Sequence, residues 1–315
     1  MASEAGRFTM FAQALRSGSR PAISDRSEVF LELIKPRITM MVLLTVAVGW
    51  FCAVPAPASG VGLFHVLFGT ALSCSGSGAL NQYLERDVDL FMDRTRFRPL
   101  PSQRISSTNA ALIGLLLSLF GCAYLSATVG HLAAAVNALT LVTYLLMYTP
   151  MKRLHPLSTL AGAIPGALPP VIGWAAANGE IGAGAIVLFA ILFLWQVPHF
   201  LAIGWMYRDD YAKAGFPMLV IIDKDGEATS RLMLVYAMVL LPVSLLLVRT
   251  GAAGHFYFWS AVVAGAYYAR AAFYAGRERT REAARRLLLA SVMYLPMLYA
   301  ALFAEHAWKA LKGLL

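Results

Sequence analysis

Asn81, Glu85, Asp89 and Asp93 stand four residues apart. On an α-helix that spacing stacks their oxygens along one face. Like charges so placed repel one another and weaken the helix, so the run calls for a positive partner. Mg2+ takes oxygen ligands and shares carboxylates with phosphates. Arg94 and Arg98 follow at once, and a guanidinium suits bidentate contact with phosphate. A solvated helix laced with ion pairs is the plainer reading of an acid run. The neighbouring asparagine, the two arginines and the apolar segment before them favour a diphosphate–metal site.

A second group has the same logic. Tyr207, Arg208, Asp209, Asp210, Tyr211 and Lys213 follow another apolar segment. The adjacent carboxylates of Asp209 and Asp210 read as a second diphosphate–metal arm. Tyr148, Lys152 and Arg153 follow a third apolar segment. Basic residues beside a membrane are usually orientation anchors, but here they share a side with both acid groups, which adds phosphate contact as a role. Trp195, Gln196, Pro198, His199 and Phe200 lie about two helical turns before Tyr207. An ionisable group at membrane depth is a functional candidate by default, so His199 is a candidate substrate contact and His155 a lesser one. Lys35, Pro36 and Arg37 open the first apolar segment and read as an anchor.

The elements that position these residues are membrane helices. Of the 315 residues, 59% are hydrophobic and only 14% charged, and the mean hydropathy is +0.64. A soluble domain carries roughly 25% charged residues, so lipid is the natural solvent. A span needs about 20 apolar residues. Nine segments qualify: 38–56, 61–81, 110–128, 131–149, 158–177, 181–207, 232–248, 256–275 and 287–303. The fifth holds Pro165, Pro169 and Pro170 among glycines, a composition suited to a broken helix lining a cavity. The expected fold class is all-α, a polytopic membrane protein of nine transmembrane helices. Residues 1–35 form a cytosolic tail and residues 36–315 the membrane domain.

The net charge of +9 raises the question of nucleic acid. Its distribution answers it. With the N-terminus in the cytosol, 23 of the 26 Lys and Arg fall on the cytosolic side, and only Arg249, Lys309 and Lys312 on the other. The positive charge sets orientation, so no nucleic-acid partner is expected, and the C-terminus lies outside. Arg7, Arg16 and Arg20 in the first 25 residues give a transit-peptide flavour, but a cytosolic tail of a protein in the bacterial cytoplasmic (inner) membrane is the expectation retained over the mitochondrial inner membrane. Cys52, Cys74 and Cys122 sit in apolar runs without a metal or disulfide pattern, and read as packing residues.

Together these blocks resemble the intramembrane aromatic prenyltransferase superfamily, marked by an Asn/Asp-rich motif after the second helix and another after the sixth. Met92, Arg94, Thr95, Arg98, Pro99 and Pro101, with Tyr148 to Arg153, Trp195 to Phe200 and Tyr207 to Met218, resemble its heme O synthase branch. The resemblance runs from about residue 31 to 300. It implies nine helices around a central cavity opening to lipid, Mg2+ as cofactor, and farnesyl diphosphate and heme B as substrates. It also implies roles. Asn81, Glu85, Asp89, Asp209 and Asp210 would be catalytic, the first three with Asp209 holding Mg2+ through the diphosphate. Arg94, Arg98, Lys152 and Arg153 would bind the diphosphate. His199, Tyr148, Tyr211 and Lys213 would contact heme.

The chain departs from the wider pattern twice. Many members have Asp where Glu85 stands, and quinone-directed members often have Asp where Lys213 stands. The implied reaction ionises farnesyl diphosphate, adds a heme vinyl group to the allylic cation and closes with water. Downstream heme A synthase or oxidase assembly proteins are the implied protein partners. The rival readings are the same chemistry on a benzoate, quinone precursor or chlorin, and, from another class, a transporter or heme-delivery protein. Transporters bind near the midplane, whereas every Asp and Glu here falls at or outside an expected helix end.

Overall fold

The computed structural model describes residues 26–53 and 60–312. The described residues are helices joined by turns, with no strand among them. In chain order the helices are α1 (Arg26–Ile34), α2 (Pro36–Ala53), α3 (Gly60–Asp89), α4 (Ser107–Thr128) and α5 (His131–Val142). A π-helical segment (Thr143–Tyr148) leads into α6 (Thr149–Leu154). Then come α7 (Ser158–Ala167), α8 (Pro169–Asn178), α9 (Ala183–Met206), α10 (Arg208–Lys213), α11 (Leu219–Ile222), α12 (Glu227–Arg249), α13 (His255–Glu278) and α14 (Arg281–Lys312).

Eight of these segments are long and apolar enough to cross a membrane. They include α5 to α6 as one continuous span and α7 to α8 as another. The remaining expected segment, 256–275, does form a helix, α13, of 24 residues packed between α12 and α14, but it is not among the eight. Its tyrosines and Arg270 dilute its apolar character, so composition does not single it out. Most of the expected tail, residues 1–25, lies outside the described residues. Its last residues form α1, which buries Val29 and Leu33 and packs on α3.

The expected break in the fifth span is real. Pro165 lies inside α7, and the chain bends at Leu168 before Pro169 opens α8. This is also the most enclosed span, 72% buried. Small residues let its neighbours come close, as lipid-embedded interfaces require. A Cβ on Gly49 would stand 1.9 Å from the Pro170 carbonyl oxygen, and one on Gly173 would stand 1.9 Å from that of Val46. Such contacts pin α2 against α8. The main apolar core runs through α2, α7, α8, α9, α12, α13 and α14.

Length decides where the chemistry sits. α3 has 30 residues, about 45 Å at 1.5 Å per residue, against a hydrocarbon core of about 30 Å. Its last turns, with Asn81, Glu85 and Asp89, therefore project to the membrane surface.

Candidate active site

Asn81, Gln82, Glu85 and Asp89 are all buried. The four-residue spacing of Asn81, Glu85 and Asp89 does put them on one face of α3. Asp93 does not join them: α3 ends at Asp89 and the chain turns, which leaves Asp93 exposed. The acid repeat is three members long rather than four.

Each of the three has a cationic partner from a different part of the chain. Lys35, between α1 and α2, donates from Nζ to Asn81 Oδ1 at 3.0 Å. Lys152 of α6 donates to Glu85 Oε1 at 2.7 Å. Arg98, in the turn after α3, reaches both oxygens of Asp89 at 2.9 and 2.7 Å. Thr95 Oγ1 caps the Asp89 carbonyl at 2.9 Å. The repulsion along α3 is thus offset within the protein as well as by any metal. Among the described residues no group of three or more His, Cys, Asp or Glu is close enough to hold an ion unaided. Two carboxylates and an amide one turn apart still suit an ion whose remaining ligands are diphosphate oxygens, because Mg2+ is commonly held by one or two carboxylates plus substrate phosphates. The donor set fits Mg2+ in that way.

Lys35 is the residue that sequence reasoning underrates. Its position suggests an anchor, yet its amine enters the acid face. It does so from a left-handed backbone (φ +52°), an uncommon conformation for a residue with a Cβ. The proline that comes next disfavours the right-handed helical alternative. The Lys-Pro pair is the available signal. Burial, with Arg98 nearby, pulls the Lys35 amine down to about 7.

Other expected residues also meet here. The π-helical segment shifts the register before α6, and π segments are frequent at functional sites. Thr149 at its end accepts from Asn81 Nδ2 at 3.4 Å. Lys152 also lies over the Tyr148 ring, 4.6 Å from its centre. Arg153 turns aside and donates to the Leu84 carbonyl at 2.7 Å. The second motif folds as α10 and its flanks. Asp209 is exposed, and Asp210 faces Lys213 at 3.8 Å. Lys213 bonds Asp93 at 3.0 Å, and Arg94 reaches the Tyr211 hydroxyl at 3.3 Å and the Tyr207 ring. The loop after α3 and the second motif therefore clasp each other through Asp93–Lys213 and Arg94–Tyr211. Lys213 holds the Asp93 carboxyl below the usual carboxylate range, and Asp93 in turn raises Lys213.

Residues 42–301 match the model of the UbiA prenyltransferase family. The chain belongs to that family. A protoheme IX farnesyltransferase of Solibacter usitatus is 43% identical over 286 residues, covering 88% of this chain and 98% of the relative. One from Koribacter versatilis is 39% identical over 299 residues, covering 91% and 96%. Among solved structures, a digeranylgeranylglyceryl phosphate synthase matches with a TM-score of 0.76 at 16% identity, covering 89% of this chain and 98% of that one. A UbiA homolog from Archaeoglobus fulgidus bound to GPP and Mg2+ matches with a TM-score of 0.64 at 16% identity, covering 87% and 99%. At that identity the structures bear on the fold.

Deeper in this UbiA prenyltransferase, His199 of α9 is half-buried. Its Nδ1 lies 2.7 Å from Ser291 Oγ of α14, and its ring stacks on Trp195 with centroids 4.7 Å apart. Ser291 has no signal in the sequence, since a serine in an apolar run shows its partner only when two distant helices meet. His155 accepts from the Leu157 backbone N–H at 3.1 Å and closes a turn. Two small apolar clefts lie between α2 and α14 and between α9 and the α6–α7 turn, and neither is lined by the acids of α3.

Proposed function

We propose that the chain transfers a farnesyl group from farnesyl diphosphate to a vinyl group of protoheme IX (heme B), with addition of water, giving heme O. The observation that carries this reading is the buried acid face of α3, matched by three cations, in a chain about 40% identical to named protoheme IX farnesyltransferases.

The proposed roles rest on placement. Asn81, Glu85, Asp89 and Asp209 would hold Mg2+ through the diphosphate, with Asp210 on the second arm. When bound, Mg2+ supplies the positive charge that makes diphosphate a competent leaving group. Arg98 and Lys152 exchange part of their carboxylate contact for phosphate oxygens, Arg94 binds the diphosphate from the clasp, and Arg153 joins it only by leaving the Leu84 carbonyl. Fixed positive groups aimed at charge that grows in the transition state usually contribute more to the rate than any other feature of such a site. Cleavage of the C1–O bond leaves an allylic cation, which the vinyl π electrons attack. Water adds to the resulting cation and loses a proton. His199, Tyr148 and Tyr211 line the acceptor side. Lys213 reaches a heme propionate only by releasing Asp93. Two amphiphilic substrates suit a polar mouth above apolar helices. The proposed setting is a bacterial cytoplasmic membrane, N-terminus in the cytosol and C-terminus outside, with heme A synthase or oxidase assembly proteins as downstream partners.

The test is a product assay with purified protein, heme B, farnesyl diphosphate and Mg2+, read by mass spectrometry with EDTA as control. The expected result is Mg2+-dependent hydroxyethylfarnesyl heme. Product only with a benzoate or quinone precursor would overturn the heme acceptor and keep prenyl transfer.

A further inference from the structure

Resting on that heme-acceptor reading, we propose that His199 ligates the heme iron through Nε2 and that Ser291 is the residue that positions it. A count of protons assigns the tautomer. Ser291 Oγ carries one hydrogen. It lies 2.6 Å from the Leu288 carbonyl oxygen, which only accepts, so the hydroxyl donates there. His199 Nδ1 lies 2.7 Å from the same Oγ. With its proton committed, the serine oxygen accepts, and Nδ1 must carry the hydrogen. A neutral imidazole protonated on Nδ1 has its lone pair on Nε2. Metal-binding histidines characteristically donate their other ring N–H to an oxygen in this way, which fixes both tautomer and ring orientation.

The surroundings hold the ring plane as well. Trp195 stacks on the imidazole at an interplanar angle of 25°. The indole is fixed in turn, because its N–H donates to the Ser291 carbonyl at 2.8 Å. The Tyr268 hydroxyl donates to the Trp195 carbonyl at 3.0 Å. Three helices, α9, α13 and α14, thus set one imidazole. Among the described residues Nε2 has no hydrogen-bond partner. His199 lies eight residues before Tyr207, about 12 Å along the helix axis.

The test needs no prenyl donor. Wild-type protein in detergent is titrated with ferric heme B alone and followed by absorption and electron paramagnetic resonance, then reduced for resonance Raman. The expected result is a histidine-ligated spectrum that His199→Ala abolishes. His199→Met, which keeps a long side chain in place, should give a thioether-ligated spectrum instead. Ser291→Ala should still bind heme stoichiometrically but lower the iron–histidine stretching frequency, and Ser291→Thr should restore it. A wild-type spectrum from both His199 variants would overturn the proposal. The transfer reading fails separately: wild-type protein that ligates heme through His199 yet yields no prenylated heme would sink transfer and leave ligation standing.

Discussion

Asp89 is the most enclosed of the acids, with its side chain fully buried and paired twice to Arg98. A carboxylate in that position costs desolvation, which a bidentate guanidinium offsets only in good geometry. Its removal has two consequences. Asp89→Ala should lower kcat by about 10²- to 10³-fold or more, the scale for loss of a preorganised electrostatic group. It should also lower stability by about 3 kcal/mol, the low end for breaking a buried pair, because Arg98 stays 27% exposed. Steady-state assays and thermal unfolding in detergent check the two separately. Wild-type turnover at equal expression would remove Asp89 from the site.

At the scale of elements, two devices set the mouth. The first is the π-helical segment 143–148, which sets the register at which Lys152 meets Glu85. Inserting one alanine between Met151 and Lys152, downstream of the segment, should turn Lys152 by about 100° away from Glu85. Prenyl transfer should then be lost while membrane insertion and size-exclusion behaviour persist. The second is the Asp93–Lys213 clasp. Asp93 is held low by Lys213, so its share of the clasp is present at neutral pH and lost as pH falls through that lowered value. Lys213 is held high by Asp93, so its share is present at neutral pH and lost as pH rises through the raised value. Spin labels at Arg96 and Ala212 should report one short distance across neutral pH, lengthening in strong acid and in strong alkali. Lys213→Met should show the long distance at every pH.

For the whole molecule, the decisive question is the path of α13. If it crosses the membrane as its length and packing suggest, the turns before and after it lie on opposite sides. Cysteines placed at Thr250 and Glu282, in a chain whose own three cysteines are replaced by serine, should then label from opposite faces with an impermeant maleimide. Labelling from the same face would make the molecule an eight-span protein, with both termini on one side. The asymmetry of Lys and Arg predicts the first outcome, since 23 of the 26 fall on one side only when nine segments cross.

The sequence by itself determined the solvent, the element type and the address of the chemistry. Apolar runs of about 20 residues leave an α-helix as the local answer in lipid, because every backbone group must be satisfied within the segment. Acids at four-residue spacing declare a helical face whatever the tertiary fold. Periodicity of this kind is local, so Asn81, Glu85 and Asp89 were legible, as were the proline break at Leu168 and the two acidic loops. What required the tertiary structure was every pairing across distance. That Lys35 and not a metal alone faces Asn81, that Lys213 is taken by Asp93, and that Ser291 holds His199 are outcomes of helix packing. Asp93 leaves the expected face because a helix end depends on what the next turn can cap, here Thr95 and Arg98 folding back on Asp89. A hydrogen bond between residues 92 positions apart leaves no trace in either neighbourhood. Chain-local energetics chose the helices, and their mutual packing chose the partners.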